Sequence, residues 1–331
     1  MSVSLADESA LLTELRGLLA RGQARDAAQR LAELAGTPQA TRAPFALLAA
    51  EAAGRLGLYA EAERAALTAL AVAQDTGEAT TAARAWNIRG AVALERGDTA
   101  LAEECFSACL AAARAETDAT IAARALNNLG ILANLRGAHT EALTNYQLAL
   151  AAYQQAGDAR GVAQTHHNIG ITRRDLADLA GGLESAEHAV RLANQSGDSA
   201  LWAQALLGRA EMHLATGDAA LAAAQIARAR TTYANLDHPV GLAEALRLEA
   251  AVAAHQGDPS RGETLLREAA ALAERQGSAH TLAEILRDLG ATAARRGDAA
   301  TAAAARARAI ALFRQLGAVH AAERLESSGV V

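Results

Sequence analysis

Glycine recurs through this chain at intervals of forty residues, and that period constrains the fold more than any other feature. One series reads Gly57, Gly97, Gly137, Gly217, Gly257 and Gly297; a second, offset by twenty, reads Gly77, Gly157, Gly197, Gly277 and Gly317. Self-similarity at such a period marks an array of stacked supersecondary units, none of which can bury its apolar face alone. Stacking them builds a continuous core and a long concave surface, so the expected role is to hold another molecule.

Local chemistry predicts what each unit is. Gly-Asp recurs at 97–98, 157–158, 197–198, 217–218, 257–258 and 297–298. Glycine suits the left-handed position that ends a helix. The following Asp can cap the next helix by accepting from its free N–H groups. Asp258-Pro259 adds proline at a first helical position, where its missing N–H costs nothing. Between the stops, Ala, Leu, Arg, Glu and Gln dominate, all good helix formers. The punctuation predicts about eight antiparallel helical hairpins, with helices over 5–20, 23–35, 40–56, 59–76, 78–96 and 98–116, then onward in twenties to 298–316.

Three columns in the same register hold only small residues. They are Ala50, Gly90, Gly130, Gly170, Ala210, Ala250 and Gly290; Ala62, Ala102, Ala142, Gly182, Ala222, Gly262 and Ala302; and Ala69, Cys109, Ala149, Ala189, Ala229, Ala269 and Ala309. Small side chains let paired helix axes approach to roughly 8–10 Å.

This pattern resembles the tetratricopeptide repeat. The segment Ala123–Ala156 carries Leu129-Gly130, Ala142, Tyr146 and Ala149 at the family's positions, and Ala83–Glu116 carries Trp86, Gly90, Ala102 and Phe106. The resemblance covers about residues 40–317. It departs in its longer forty-residue period and in its few aromatics, which are 3% of the chain. The expectation is an all-α, right-handed superhelical solenoid. Residues 1–36 would form a degenerate capping hairpin, 37–317 seven repeats, and 318–331 a short capping helix and a frayed tail.

Composition narrows function. Net charge is −6 with both signs interspersed, which argues against a nucleic-acid surface. All 31 basic residues are Arg. Without Lys the chain can build neither a P-loop nor a pyridoxal Schiff base. Cys105 and Cys109 are four apart on one helical face and read as buried small hydrophobes. The first residues lack a basic stretch followed by an apolar run, and no long uncharged span occurs, so a cytoplasmic location is expected. Adjacent His166 and His167 point about 100° apart on a helix and cannot easily share a metal. No metal, cofactor or catalytic constellation is expected, and self-association through a solenoid end or the convex face stays open.

The resemblance implies that the first helix of each hairpin lines the groove. The residues so placed are Arg84, Asn87 and Glu95; Arg124, Asn127, Asn128, Ile131 and Leu135; Gln164, His167, Asn168, Ile171 and Asp175; and Gln204, Leu207, Glu211 and Ala215. Further along come Glu244, Arg247 and His255, then Glu284, Arg287, Asp288 and Arg295. Two features stand out. Asn87, Asn127, Asn128 and Asn168 form an amide cluster that could clamp a peptide backbone, or could bond between repeats. One column runs Pro44, Arg84, Arg124, Gln164, Gln204, Glu244, Glu284, basic toward one end and acidic at the other. That gradient would orient a bipolar ligand; alternatively, Glu244 with Arg247 and Glu284 with Arg287 are simple pairs within a helix. The leading expectation is a non-enzymatic adaptor binding a peptide or partner protein in its groove. The alternative is the sensor module of a bacterial regulatory or peptide-signalling system.

Overall fold

Backbone geometry is where the glycine punctuation acts. In the computed structural model, which describes residues 5–327, every glycine of both series has positive φ, from 66° at Gly277 to 87° at Gly217. The series skip glycine at three places, and there Thr117, Ala177 and Asp237 are still driven to φ of 55°, 62° and 48°. The turn therefore requires the left-handed conformation even where a side chain costs about 1 kcal/mol to place there. The aspartates do what their position predicts. Asp98 Oδ1 accepts from the Leu101 N–H at 3.0 Å, and Asp158, Asp198, Asp218, Asp258 and Asp298 make the same bond at 2.9–3.0 Å.

The described residues form seventeen α-helices, arranged as hairpins in chain order. They are α1 (Leu5–Ala20) with α2 (Ala24–Ala32), α3 (Ala43–Arg55) with α4 (Tyr59–Thr76), α5 (Ala79–Glu95) with α6 (Thr99–Ala115), and α7 (Ala119–Leu135) with α8 (His139–Ala156). Then come α9 (Ala159–Asp175) with α10 (Leu179–Ser196), α11 (Ser199–Ala215) with α12 (Ala219–Asn235), α13 (Pro239–His255) with α14 (Pro259–Gln276), and α15 (Ala279–Arg295) with α16 (Ala299–Gln315). A short α17 (Val319–Ser327) covers the last apolar face. One boundary differs from expectation. α2 stops at Ala32 and α3 starts at Ala43, because Gly36 at φ 78° and a 3-10 turn over Pro38–Thr41 break the chain between them. The tail residues 328–331 lie outside the described residues.

The small columns bring helices together, and aromatic rings fill what they leave. A methyl group on Gly90 would meet the Phe106 ring at 2.6 Å, and one on Gly130 would meet Tyr146 at 2.5 Å. A second exchange links successive hairpins. Tyr153 and Tyr233 pack on Gly161 and Gly241, where a methyl would sit 2.4 Å from the ring. In the equivalent columns of other repeats the sizes are reversed: Ala113 shares a cluster with Ile121, and Ala193 with Leu201. Interior volume is conserved by trading a large residue for a small one at its contact, as close packing demands.

Small rotations between hairpins accumulate until the superhelix meets itself. Turns within the early hairpins abut turns between the late ones. Arg25 forms an ion pair with Asp237. Gln315 Nε2 donates to the Arg96 carbonyl at 3.3 Å. A methyl on Gly137 would touch His320 at 3.3 Å, and Leu135 packs against the C-terminal apolar cluster. The concave groove is thereby closed along its side.

Candidate functional site

Closure turns the groove into a channel of about 1700 Å3. Its wall carries Ile131, Gln164, His167, Ile171, Gln204, Leu207 and Glu211, together with Arg174, Glu244, Arg247, Glu284 and Arg287. An adjoining cavity of about 250 Å3 is lined by Arg84, Asn87 and Arg124 together with Glu51, and shares Arg55, Tyr59 and Glu95 with the channel. Asn127, Asn128 and Asn168 line neither space.

Those three amides are held between repeats. Asn128 Nδ2 donates to Asn87 Oδ1 at 2.9 Å, and Asn168 Nδ2 donates to Asn127 Oδ1 at 3.0 Å. Each pair is forty-one residues apart, one position more than the repeat, and joins consecutive first helices. The rule continues down the chain with other residue types. Asn134 Nδ2 reaches Asp175 at 3.4 Å, His167 stands over Gly208, and Arg247 Nη1 donates to Asp288 at 3.0 Å. Spacing by forty-one, searched for polar pairs, is the signal that finds these contacts in the sequence.

In the second half of the channel this ladder becomes ionic. Arg247, its side chain only 6% exposed, meets Glu211 at 2.5 Å, Asp288 at 3.0 Å and Glu284 at 3.7 Å, and also pairs with Glu244 on its own helix. Arg174 adds a 2.6 Å pair to Glu211, and Arg287 binds Glu284 at 2.9 Å. The pairs within a helix expected at Glu244–Arg247 and Glu284–Arg287 are present, embedded in a network spanning α9 to α15. Burial opposes ionisation of Glu211, but Arg174 and Arg247 outweigh it and hold its pKa below the usual carboxylate range. Glu284 is held low in the same way, burial being overcome by Arg287 and Arg247.

The small cavity has the opposite balance. Glu51 binds Arg55 at 2.6 Å and lies 3.7 Å from Arg84. Arg124 has no carboxylate within 4.0 Å among the described residues, although it lies near enough to help hold Glu51 ionised. Burial, and the neighbouring Arg124 and Arg16 charges, weaken the hold of Arg84 on its proton against the pull of Glu51. Glu95, across the cavity, accepts from the Tyr59 hydroxyl at 3.2 Å, and burial raises its pKa.

His167 sits at the junction of the two halves. Burial lowers its pKa to about 4, against the pull of Glu211. His166 stacks on His188 at 5.0 Å and belongs to another face. Cys105 and Cys109 are buried free thiols, which burial pushes up to about 11 and about 12. Sequence reasoning missed Arg174, Arg55 and Tyr59: each reaches the channel from a helix end rather than from the inward columns. Among the described residues no His, Cys, Asp and Glu groups cluster to hold a metal, and no helix is long and apolar enough to cross a membrane.

Antiparallel hairpins packed through small-residue columns, with their first helices lining a curved inner surface, define a tetratricopeptide-type solenoid. Residues 81–155 match the family model of the tetratricopeptide repeat. Three solved structures share the architecture of nearly the whole chain. A Rap protein complexed with Competence and Sporulation Factor is 14% identical, with a TM-score of 0.68 over 93% of this chain and 98% of that one. The Rap conjugation gene regulator of the plasmid pLS20, in complex with the Phr* peptide, is 14% identical, with a TM-score of 0.69 over 87% of this chain and 76% of that one. Aspartyl phosphate phosphatase F from Bacillus subtilis is 11% identical, with a TM-score of 0.64 over 96% and 97%. At these identities the likeness is one of fold. No curated protein matches the sequence.

Proposed function

We propose that this chain is a non-enzymatic regulatory module that encloses a short linear peptide in its channel. The observation carrying this reading is the closed side of the superhelix. An open groove can receive the helix or loop of a folded partner; a groove whose edges meet suits an extended chain lying along its axis. A volume of about 1700 Å3 exceeds the roughly 300–1,000 Å3 of a site for a drug-sized molecule. The wall offers what an extended peptide needs: the Gln164 and Gln204 amides together with the apolar Ile131, Ile171 and Leu207. The similar structures that hold Competence and Sporulation Factor or the Phr* peptide support the same reading. The sequence left open an adaptor binding a peptide or partner protein and, as the alternative, a regulatory sensor; closure favours a peptide over a folded partner in either role, and the similar peptide-bound structures favour the sensor.

Filling the channel tests this. Gln164→Trp and Gln204→Trp place bulk on the wall away from the ionic network. Wild type should retain members of a synthetic linear-peptide library in equilibrium dialysis, and the double variant should release them while keeping its helical circular dichroism. Equal retention by both would place binding outside the channel and sink the reading.

A further inference from the structure

Two kinds of interface hold the solenoid in shape, and they differ in strength. Hairpin packs on hairpin through buried side chains, as where Tyr153 seats on Gly161 and Tyr233 on Gly241. The seam that closes the groove is made otherwise. It runs between turns 218 or 219 residues apart: Gly57 beside the Gln276 side-chain oxygen, Arg96 and Gly97 against Gln315, and Thr99 against Gly317. The glycine edges bring no side chain to these contacts. The Arg25–Asp237 pair has side chains 63% and 68% exposed, and pairs so exposed contribute little. The Gln315 bond to the Arg96 carbonyl is 3.3 Å long and exposed. Apolar support comes from Leu135 against the C-terminal cluster.

A wall of stacked hairpins bends by small rotations at each interface, and these add up along the array. The seam joins parts of the array that are far apart in sequence, and its contacts are few and exposed. It is therefore the part of the fold that opens at the lowest cost. Parting it leaves the hairpin cores and both ladders of first-helix contacts intact. An extended peptide otherwise has to thread the lumen from one end. Threading is obstructed where the early and late walls converge. There Glu95 accepts from Tyr59 at 3.2 Å, burial raises its pKa, and His280 on α15 is near enough to oppose that rise. We infer that the seam is a side gate, a role that rests on the peptide-binding reading above: it parts to admit a linear peptide sideways and recloses over it, so that its contacts set how fast the peptide enters and leaves.

Disulfide staples across the seam test this in the full chain. A β-carbon at Gly317 would lie 3.5 Å from that of Thr99, and one at Gly137 would lie 3.3 Å from that of His320, close to the span of about 3.5–4.5 Å that a disulfide needs. Thr117, Ala177 and Asp237 already carry side chains at the equivalent left-handed turn position, so the fold accommodates cysteine there. Native Cys105 and Cys109 are buried and stay out of the exchange. The probe is a fluorescein-labelled linear peptide retained from the synthetic library. In Thr99→Cys/Gly317→Cys, oxidation should slow its association at least about tenfold, and dithiothreitol should restore the rate. A peptide loaded before oxidation should leave more slowly to the same degree. Arg25→Ala/Gln315→Ala, which loosens the seam, should speed association and dissociation together. Gly137→Cys/His320→Cys gives the staple readout if the first pair does not fold. Equal rates in stapled and reduced protein would overturn the gate and leave the channel reading standing. If the library yields no peptide, the peptide reading fails, and a linear polyethylene glycol maleimide reacting with Gln204→Cys in the lumen judges the gate by itself: slower modification when stapled supports it, and equal modification overturns it.

Discussion

The two halves of the channel are built on one backbone plan and use opposite chemistry. In both, a residue on one first helix reaches its counterpart forty-one positions later on the next. From α5 to α9 the contacts are amide to amide: Asn87 with Asn128, and Asn127 with Asn168. From α11 to α15 they are ionic, centred on Arg247 and its carboxylates. The amide half spends one bond per pair and leaves donors facing the cavity. In the ionic half Arg174, Arg247 and Arg287 each already hold carboxylates. Solenoid geometry specifies only that neighbouring first helices touch; which chemistry fills the contact decides whether that stretch of wall is structural or free to bind.

The comparison breaks most sharply at Arg247. Replacing it by Met leaves Glu211, Glu244 and Asp288 crowded without their shared cation. Chemical denaturation should show a loss of about 3–5 kcal/mol, the usual cost of breaking a buried pair from one side. A loss under about 1 kcal/mol would mean that the second half is not held by its charges.

His167, between the halves, reports through pH. Its neutral ring is the form the fold accommodates. The unfolded chain takes up a proton near the ordinary pKa of 6.5, the folded chain only near 4. The unfolded state therefore binds more protons within that window, and stability falls as pH falls through it. The contribution reaches roughly 3 kcal/mol below pH 4. His167→Gln should remove this component, giving a flatter stability profile between pH 6.5 and 4. An unchanged profile would assign the acid sensitivity elsewhere, with His166 the next group to test.

In the amide half the expected effects are smaller. Asn127→Leu strands the buried Asn168 amide and should cost about 1–3 kcal/mol, less than Arg247→Met. Gly241→Ala places a methyl into the Tyr233 ring. It should cost about 1–3 kcal/mol despite the better helix propensity of alanine. Adding Tyr233→Ala to Gly241→Leu, which reproduces the Ala193–Leu201 pairing, should cost less than the two single changes summed. The smallest effect belongs to the seam. Arg25→Ala removes an exposed ion pair and should change stability by at most about 1 kcal/mol. It should, however, speed hydrogen exchange around Asp237 if that contact holds the channel closed.

Much of this molecule was legible before any fold was considered. The forty-residue period set the hairpins, and Gly97-Asp98 and its equivalents set their ends, because capping and left-handed turns are decided within a few residues. The family resemblance, which says which columns of a first helix face inward, placed Gln164, His167 and Gln204 on the wall. Partnership was not legible in the same way. Asn128 and Asn168 stand in the column whose amides can bond between repeats, but only the stacking of first helices shows that they take Asn87 and Asn127 as partners and so remove Asn127 from the wall. The polarity column of Arg84 through Glu284 was visible. Its two meanings, arginines gathered around Glu51 at one end and a many-membered ionic network at the other, depend on Glu51, Arg174 and Glu211, which lie outside that column.

The sequence by itself determined the repeat, the helix boundaries, the small-residue seams and the absence of lysine chemistry. All of these are properties of short stretches, or of residues compared in register. Tertiary structure alone decided that the groove closes. Gly137 meets His320, and Arg25 meets Asp237, only after many small rotations between hairpins have accumulated. No local signal carries that sum, because each rotation follows from how a whole helix face packs on the next.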